Sequence, residues 1–243
     1  MNSGIYTAYS GLRAQMTALD VMANNLANVN TPGFKEEKTF FTVLSQTGNS
    51  AAHNELNRVT NSQSVAWQTG TNQVAGSLQL TQRELDVALT GNGLLTVRTD
   101  QGERYTRDGS LTLSPSAVLT TADGLTVLGE NGPMTLGPGK VIINESGDVF
   151  LNGTRVDRLK LTAFEDPRTL QHEGGSLLSA SKDARTKAAD AKVRQGYLEQ
   201  SNVNPVTAVV GLVNVMRQFE SMQKSLNLIM NDLDSKSIDK LGR

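Results

Sequence analysis

Residues 3–28 read SGIYTAYSGLRAQMTALDVMANNLAN. Within them Ile5, Leu12, Leu19 and Leu26 recur every seventh residue. An apolar heptad predicts a helix that needs another helix over its seam. Tyr9, Met16 and Ala23 follow four places behind the first three, so the stripe is wider than a strict two-position seam. Ser3 is a suitable N-cap. A helix from there to about Asn28 would be about 37 Å long at the usual rise. It has to stop before Thr31-Pro32-Gly33-Phe34. Pro32 and Gly33 take the second and third places of a type II turn pattern, and the residue before a proline avoids helical angles.

The other end of the chain answers the first. Leu212, Phe219, Leu226 and Leu233 repeat the same spacing. Asn204-Pro205 ahead of them is an N-cap followed by a first-turn proline. Between the two heptads the signals are those of strands and tight turns. Asp123-Gly124 separates Val118-Leu119-Thr120 from Leu125-Thr126-Val127-Leu128, and Asn152-Gly153 separates Val149-Phe150-Leu151 from Thr154-Arg155-Val156. Such dipeptides between strand-like runs predict hairpins. Leu159, Leu161 and Ala163 alternate with Lys160 and Thr162, which predicts a strand with one buried face.

These readings give an α+β fold class. Long N- and C-terminal helices are expected to pair like a coiled coil, with an antiparallel β-rich domain inserted between them. The expected divisions are 1–33 for the first helix and turn, 34–79 for an extended linker and 80–180 for the β-rich domain. Residues 181–203 form a return linker, and 204–243 the last helix. The stretch Ser45-Gln46-Thr47-Gly48-Asn49-Ser50 reads as loop.

Composition narrows the function. The 243 residues carry 23 Lys+Arg against 24 Asp+Glu, a net charge of −1. That balance has no basic footprint for nucleic acid. Cysteine is absent, which removes disulfides, thiolate metal sites and cysteine nucleophiles. No apolar run is long enough for a membrane span. Met1-Asn2-Ser3-Gly4 leads straight into the amphipathic pattern, so no Sec-type signal peptide is expected.

Chemistry-bearing residues are sparse. The two histidines, His53 and His172, lack metal-ligand spacing and read as surface residues. Asp100, Glu103 and Asp108 are close enough in sequence to suggest the carboxylate pair of a glycan-cleaving enzyme. They fall at turn positions, where turn chemistry accounts for them. No cofactor, metal, catalytic group or small-molecule substrate is expected. Asn24 and Asn28 share a helix face. They serve either to cap a fraying helix end or to bond a neighbouring helix through their amides.

Three segments carry a family resemblance. Ala23-Asn24-Asn25-Leu26-Ala27-Asn28-Val29-Asn30-Thr31-Pro32-Gly33-Phe34-Lys35 resembles the N-terminal signature of bacterial flagellar rod and hook proteins. Gly196-Tyr197-Leu198-Glu199-Gln200-Ser201-Asn202-Val203-Asn204 is similar to the stretch before that family's last helix. Leu85-Asp86-Val87-Ala88-Leu89-Thr90-Gly91-Asn92-Gly93, followed by Tyr105-Thr106-Arg107-Asp108-Gly109-Ser110, resembles the entry to its β domain. Gly129-Glu130-Asn131-Gly132-Pro133-Met134 and Arg217-Gln218-Phe219-Glu220 look most like the proximal rod type. Leu94-Leu95 stands where the distal type has an aromatic pair.

The resemblance implies a structural rod subunit whose paired terminal helices form a coiled-coil-like tube domain, carrying motor torque through the periplasm to the hook. Its implied partners are copies of itself, other rod proteins and the flagellar type III export apparatus. The assembly interface expected on this basis is Ile5, Leu12, Leu19, Asn24, Asn25, Leu26, Asn28, Leu212, Phe219, Leu226 and Leu233, with Pro32 and Gly33 as a structural turn.

Overall fold

Turn chemistry builds the middle of the chain. Asn152 and Gly153 both have positive φ, 51° and 84°. That is the geometry a two-residue hairpin needs to match strand twist, and Leu151 pairs with Thr154 across it. At Asp123-Gly124 the glycine φ is 82°, and Thr120 pairs with Thr126. The computed structural model describes residues 2–44 and 64–241, with side chains described over 9–40 and 69–228. The side chains of Ile5 and Leu233, and all of His53 and the loop at 45–50, lie outside the described residues.

Nineteen strands lie between Glu37 and Glu199 among the described residues. Ten form one antiparallel sheet. Its main path runs Leu170–Gly174, Leu177–Ala180, Gly102–Thr106, Leu94–Thr99, Thr126–Gly129, Leu119–Thr121, Leu111–Leu113. A three-stranded sheet joins Val141–Ile143, Asp148–Leu151 and Thr154–Arg158. Val87–Asn92 pairs with Asp190–Gln195, and Leu78–Leu80 with Tyr197–Glu199. The main core includes Val87, Leu95, Val97, Leu119, Val127 and Val149, all with no measurable exposure. Full burial of each such side chain is worth about 1.5–3 kcal/mol.

The chain also forms two long helices, α1 (Asn2–Ala27) and α2 (Pro205–Leu241). The chain divides into two compact units. One comprises 27–37 and 70–204, and the other 1–26, 38–69 and 205–243.

The expected fold class is overturned. The molecule is a large antiparallel sheet-rich body with one helix at each end, not a domain of long paired helices carrying an inserted β domain. Strands Glu37–Leu44, Ser64–Thr71 and Leu78–Leu80 occupy the stretch expected as linker, and Thr186–Ala188, Asp190–Gln195 and Tyr197–Glu199 the expected return.

The heptads misled because a stripe on a helix does not say which face is covered. On α1 the buried residues are Ala14, Ala18, Val21 and Asn25. At 3.6 residues per turn, Leu12, Leu19 and Leu26 lie more than about 100° around the helix from that face, and they are only half-buried. Where the two helices touch, the contacts are a Gln15–Gln218 amide bond at 3.4 Å, Met222 against Gly11, and Met22 against Gly211. One index rises as the other falls, so the helices run antiparallel there.

The strand Leu161–Phe164 also differs from its expected pattern. Ala163 and Phe164 are both buried. This strand sits between Leu94–Thr99 and Thr186–Ala188, with Leu161 packed against the main core and Phe164 in a second cluster around Leu94, Leu170 and Leu178. Both faces are covered, so alternation is lost.

Candidate functional site

After Ala27 the chain leaves the helix through a tight corner. The Thr31 amide donates to the Asn28 carbonyl at 3.1 Å, and the Thr31 hydroxyl to the Asn28 side-chain oxygen at 3.1 Å. The Phe34 amide reaches the Thr31 carbonyl at 3.3 Å, and Gly33 has φ +70°. A Cβ on Gly33 would lie 2.2 Å from the Asp108 backbone nitrogen. The position therefore requires glycine twice over, for its dihedral and for the approach of another chain segment.

That approach delivers Phe34 and Lys35 into a buried knot. Lys35 is 1% exposed, Glu199 1% and Arg107 5%. The Lys35 ammonium donates to Glu199 Oε1 at 2.5 Å and to the Val74 carbonyl at 2.9 Å. Glu199 Oε1 also accepts the Gly76 amide at 2.9 Å. Arg107 Nη1 donates to Glu199 Oε2 at 3.1 Å and to the Leu89 carbonyl at 3.0 Å. The Gly33 amide donates to the Glu199 carbonyl at 2.8 Å. Asn202 completes the tie. Its Oδ1 accepts the Glu36 amide at 2.7 Å, and its Nδ2 donates to the Asn72 and Val74 carbonyls at 2.9 Å each.

A further segment closes on the same place. The Val87 amide donates to the Gly109 carbonyl at 3.0 Å, and the Gly196 amide to the Asp86 carbonyl at 2.7 Å. A Cβ on Gly109 would sit 1.7 Å from the Val87 carbonyl oxygen. Segments far apart in the chain thus close on one buried site, with one carboxylate serving two cations.

Burial pushes the Lys35 ammonium below its usual 10.5, opposed by the hydrogen bond and charge of Glu199, while Arg107 adds to the lowering. Burial also raises the Asp108 carboxyl, against the hydrogen bonds it accepts from Ser110. His172, expected at the surface, is half-buried and packs its ring 5.3 Å from that of Phe34. Burial pushes its pKa below 6.5, opposed by the Glu37 charge and by the Gly175 and Lys35 backbone.

The carboxylates considered for glycan cleavage have other engagements. Glu103 takes the Lys160 ammonium at 2.7 Å. Asp108 accepts the Ser110 amide at 2.8 Å and its hydroxyl at 2.6 Å. Asp100 is exposed in a turn.

Of the residues expected at an assembly interface, Asn25 is buried, Asn24 is exposed, and Asn28 is half-buried. Leu212, Phe219 and Leu226 lie on one half-buried stripe of α2. Lys35, Arg107, Glu199 and Asn202 were not singled out from the sequence as site residues. The available signal was weak, since only Glu199 is an isolated charge, while Lys35 is followed by Glu36 and Glu37 and Arg107 by Asp108.

Chemically the knot holds chain segments together. Residues 5–35 match the family described as flagella basal body rod protein, and 194–235 match the flagellar basal body rod FlgEFG protein C-terminal region. Residues 88–151 match the flagellar hook protein FlgE/F/G D1 domain. Lys35, Glu199 and Arg107 thus come one from each matched region. The chain is 34% identical to the flagellar basal-body rod protein FlgF of Caulobacter vibrioides, over 97% of both chains. It is 32% identical to FlgF of Salmonella typhimurium over 94% of both, and 30% identical to the flagellar basal-body rod protein FlgG of Bacillus subtilis over 92% of this chain and 94% of that one. The chain belongs to the flagellar basal-body rod protein family, and it is a structural subunit of the rod.

Proposed function

We propose that the chain is a proximal rod subunit that polymerises through its terminal helices and transmits motor torque towards the hook. The observation that carries this is α2. None of its described side chains is buried, and Val206, Val209, Val210, Val213, Met216 and Leu228 are all exposed. Tyr9 and Met16 on α1 are exposed as well. Apolar rows of this kind seek cover from neighbouring helices. Repeated contacts that do not close on themselves generate a helical filament.

In this reading Ile5, Leu12, Leu19, Asn24, Asn25, Leu26, Asn28, Leu212, Phe219, Leu226 and Leu233 face neighbours in the rod, and Pro32-Gly33 is a structural turn. The neighbours are copies of this chain and other rod proteins. The subunit reaches its periplasmic place through the flagellar type III export apparatus. No described helix is long and apolar enough to cross a membrane. The support for the proximal position is the likeness to the FlgF proteins named above, and the FlgG relative keeps the distal position as the second reading.

Leu226→Asp tests the assembly role. The sheet body should keep its circular dichroism signal and melting transition, while the variant fails to enter basal bodies and cells lose motility. Normal swimming with intact basal bodies would overturn the assignment of α2. Electron microscopy of isolated basal bodies carrying a labelled subunit decides between the proximal and distal positions.

A further inference from the structure

A cavity of about 150 Å³ opens beside the knot, lined by Gln73, Asn92, Leu94, Arg107, Phe164 and Lys187 among others. Two side chains on that lining carry buried N–H groups with no acceptor among the described residues, Arg107 at Nε and Gln73 at Nε2. Arg107 is 5% exposed, and its other two nitrogens are engaged with the Leu89 and Gly91 carbonyls and with Glu199. Buried donors left unpaired are costly.

The charge count points the same way. Lys35 and Arg107 are both buried, and both pair with the single carboxylate of Glu199. One positive charge is left over. A water molecule filling the cavity supplies an acceptor but no charge. A carboxylate supplies two acceptor oxygens and the missing negative charge, and planar carboxylates suit guanidinium donors. An engineered cavity of roughly this volume holds benzene, so a carboxylate with two or three carbons fits. At the mouth, Glu165 and Lys187 are exposed and bring one charge of each sign.

We propose that this cavity is a carboxylate-binding site, with Arg107 Nε and Gln73 Nε2 as its donors. The carboxylate comes either from an Asp or Glu side chain of a second copy of this chain or from a small free acid. None of the residues named on its lining belongs to the helices on which the rod reading rests.

The test uses the full chain, labelled with nitrogen-15. The Arg107 Nε–H resonance is followed during titration with sodium acetate and, at matched ionic strength, with sodium chloride. The expected result is a saturable shift with acetate that chloride does not produce. Gln73→Leu should weaken it about fivefold, the worth of one hydrogen bond, with the backbone amide spectrum elsewhere unchanged. Absence of a saturable shift, an equal shift in chloride, or unaltered acetate affinity in Gln73→Leu would each overturn the site. Adding unlabelled chain then distinguishes the sources. Displacement of acetate identifies an acidic side chain of a second copy, and undiminished acetate binding identifies a small free acid.

Discussion

The sheet body and the terminal helices solve the same physical problem in opposite ways. The body buries its apolar residues within itself, and Val87, Leu95, Val97, Leu119 and Val127 are fully covered. It even buries charged side chains, Lys35, Arg107 and Glu199 among them, because each of these finds a partner there. Helix α2 buries none of its described side chains and leaves a row of valines exposed. On α1 the covered face is mostly small residues, Ala14, Ala18 and Val21. A segment that satisfies its own contacts is a finished part, and one that does not is a connecting part. The contrast belongs to the energetics and not to length or propensity, since both helices are long and regular.

The sharpest way to break this comparison is to spoil the finished part. Glu199→Gln leaves Lys35 and Arg107 buried without a counter-charge. Loss of one partner from a buried ion pair costs about 3–5 kcal/mol. Urea denaturation should show a loss in that range, and a change under about 1 kcal/mol would mean that the knot is not the clasp described above.

Next in size is Gly33→Ala. Its φ of +70° costs an alanine about 1–3 kcal/mol, and the new Cβ meets the Asp108 backbone nitrogen at 2.2 Å. Thermal melts should show the body destabilised by at least that much. An unchanged melting temperature would show that the corner can open without cost.

The His172 ring gives a smaller effect, visible through pH. Its folded pKa lies below 6.5 because burial disfavours the charged form. The stability it contributes is full above about pH 6.5 and falls as pH drops through the window below that value. Asp108 acts in the opposite sense. Its raised pKa makes the folded state hold a proton more tightly above pH 3.8. The two are separated by comparing wild type with His172→Leu between pH 7 and pH 5. The variant should lose less stability on acidification, and parallel curves would remove the histidine from the account.

The smallest effect is expected on the connecting part. Leu228 is 70% exposed, so Leu228→Ala should change the unfolding free energy of the isolated chain by less than about 0.5 kcal/mol. A larger loss would show that α2 is already covered within the monomer.

Much of the local structure was legible because it depends on neighbouring residues. Asn152-Gly153 and Asp123-Gly124 turn the chain where their backbone freedom allows. Asn204-Pro205 marks the start of α2. The covered face of α1 was not legible. Leu12, Leu19 and Leu26 are larger and more apolar than Ala14 and Ala18, so hydropathy does not point to the face that is covered within the chain. Size of the side chain and closeness of packing pull in opposite directions there, because small residues allow a tighter approach. The stretches 34–79 and 181–203 looked like linkers because they are polar. Within them Glu37–Leu44, Ser64–Thr71, Thr186–Ala188, Asp190–Gln195 and Tyr197–Glu199 form strands because partners distant in sequence satisfy their backbone, as when Asp190–Gln195 pairs with Val87–Asn92. His172 was misjudged for a related reason, since its own neighbours are glycines and a glutamate and the ring that covers it, Phe34, comes from the far end of the chain.

By itself the sequence determined the helical ends, the hairpin corners, the absence of cysteine chemistry and the family likeness. All of these are properties of residue type and short-range spacing. Only the tertiary structure decided that Lys35, Arg107 and Glu199 form one buried cluster, with Glu199 164 residues from Lys35 and 92 from Arg107. No local preference encodes such a meeting. It arises because the segments that close around Gly33 and Gly109 leave no water for a charge. Each ion there must find its partner in the chain, or the fold must supply a place for one from outside.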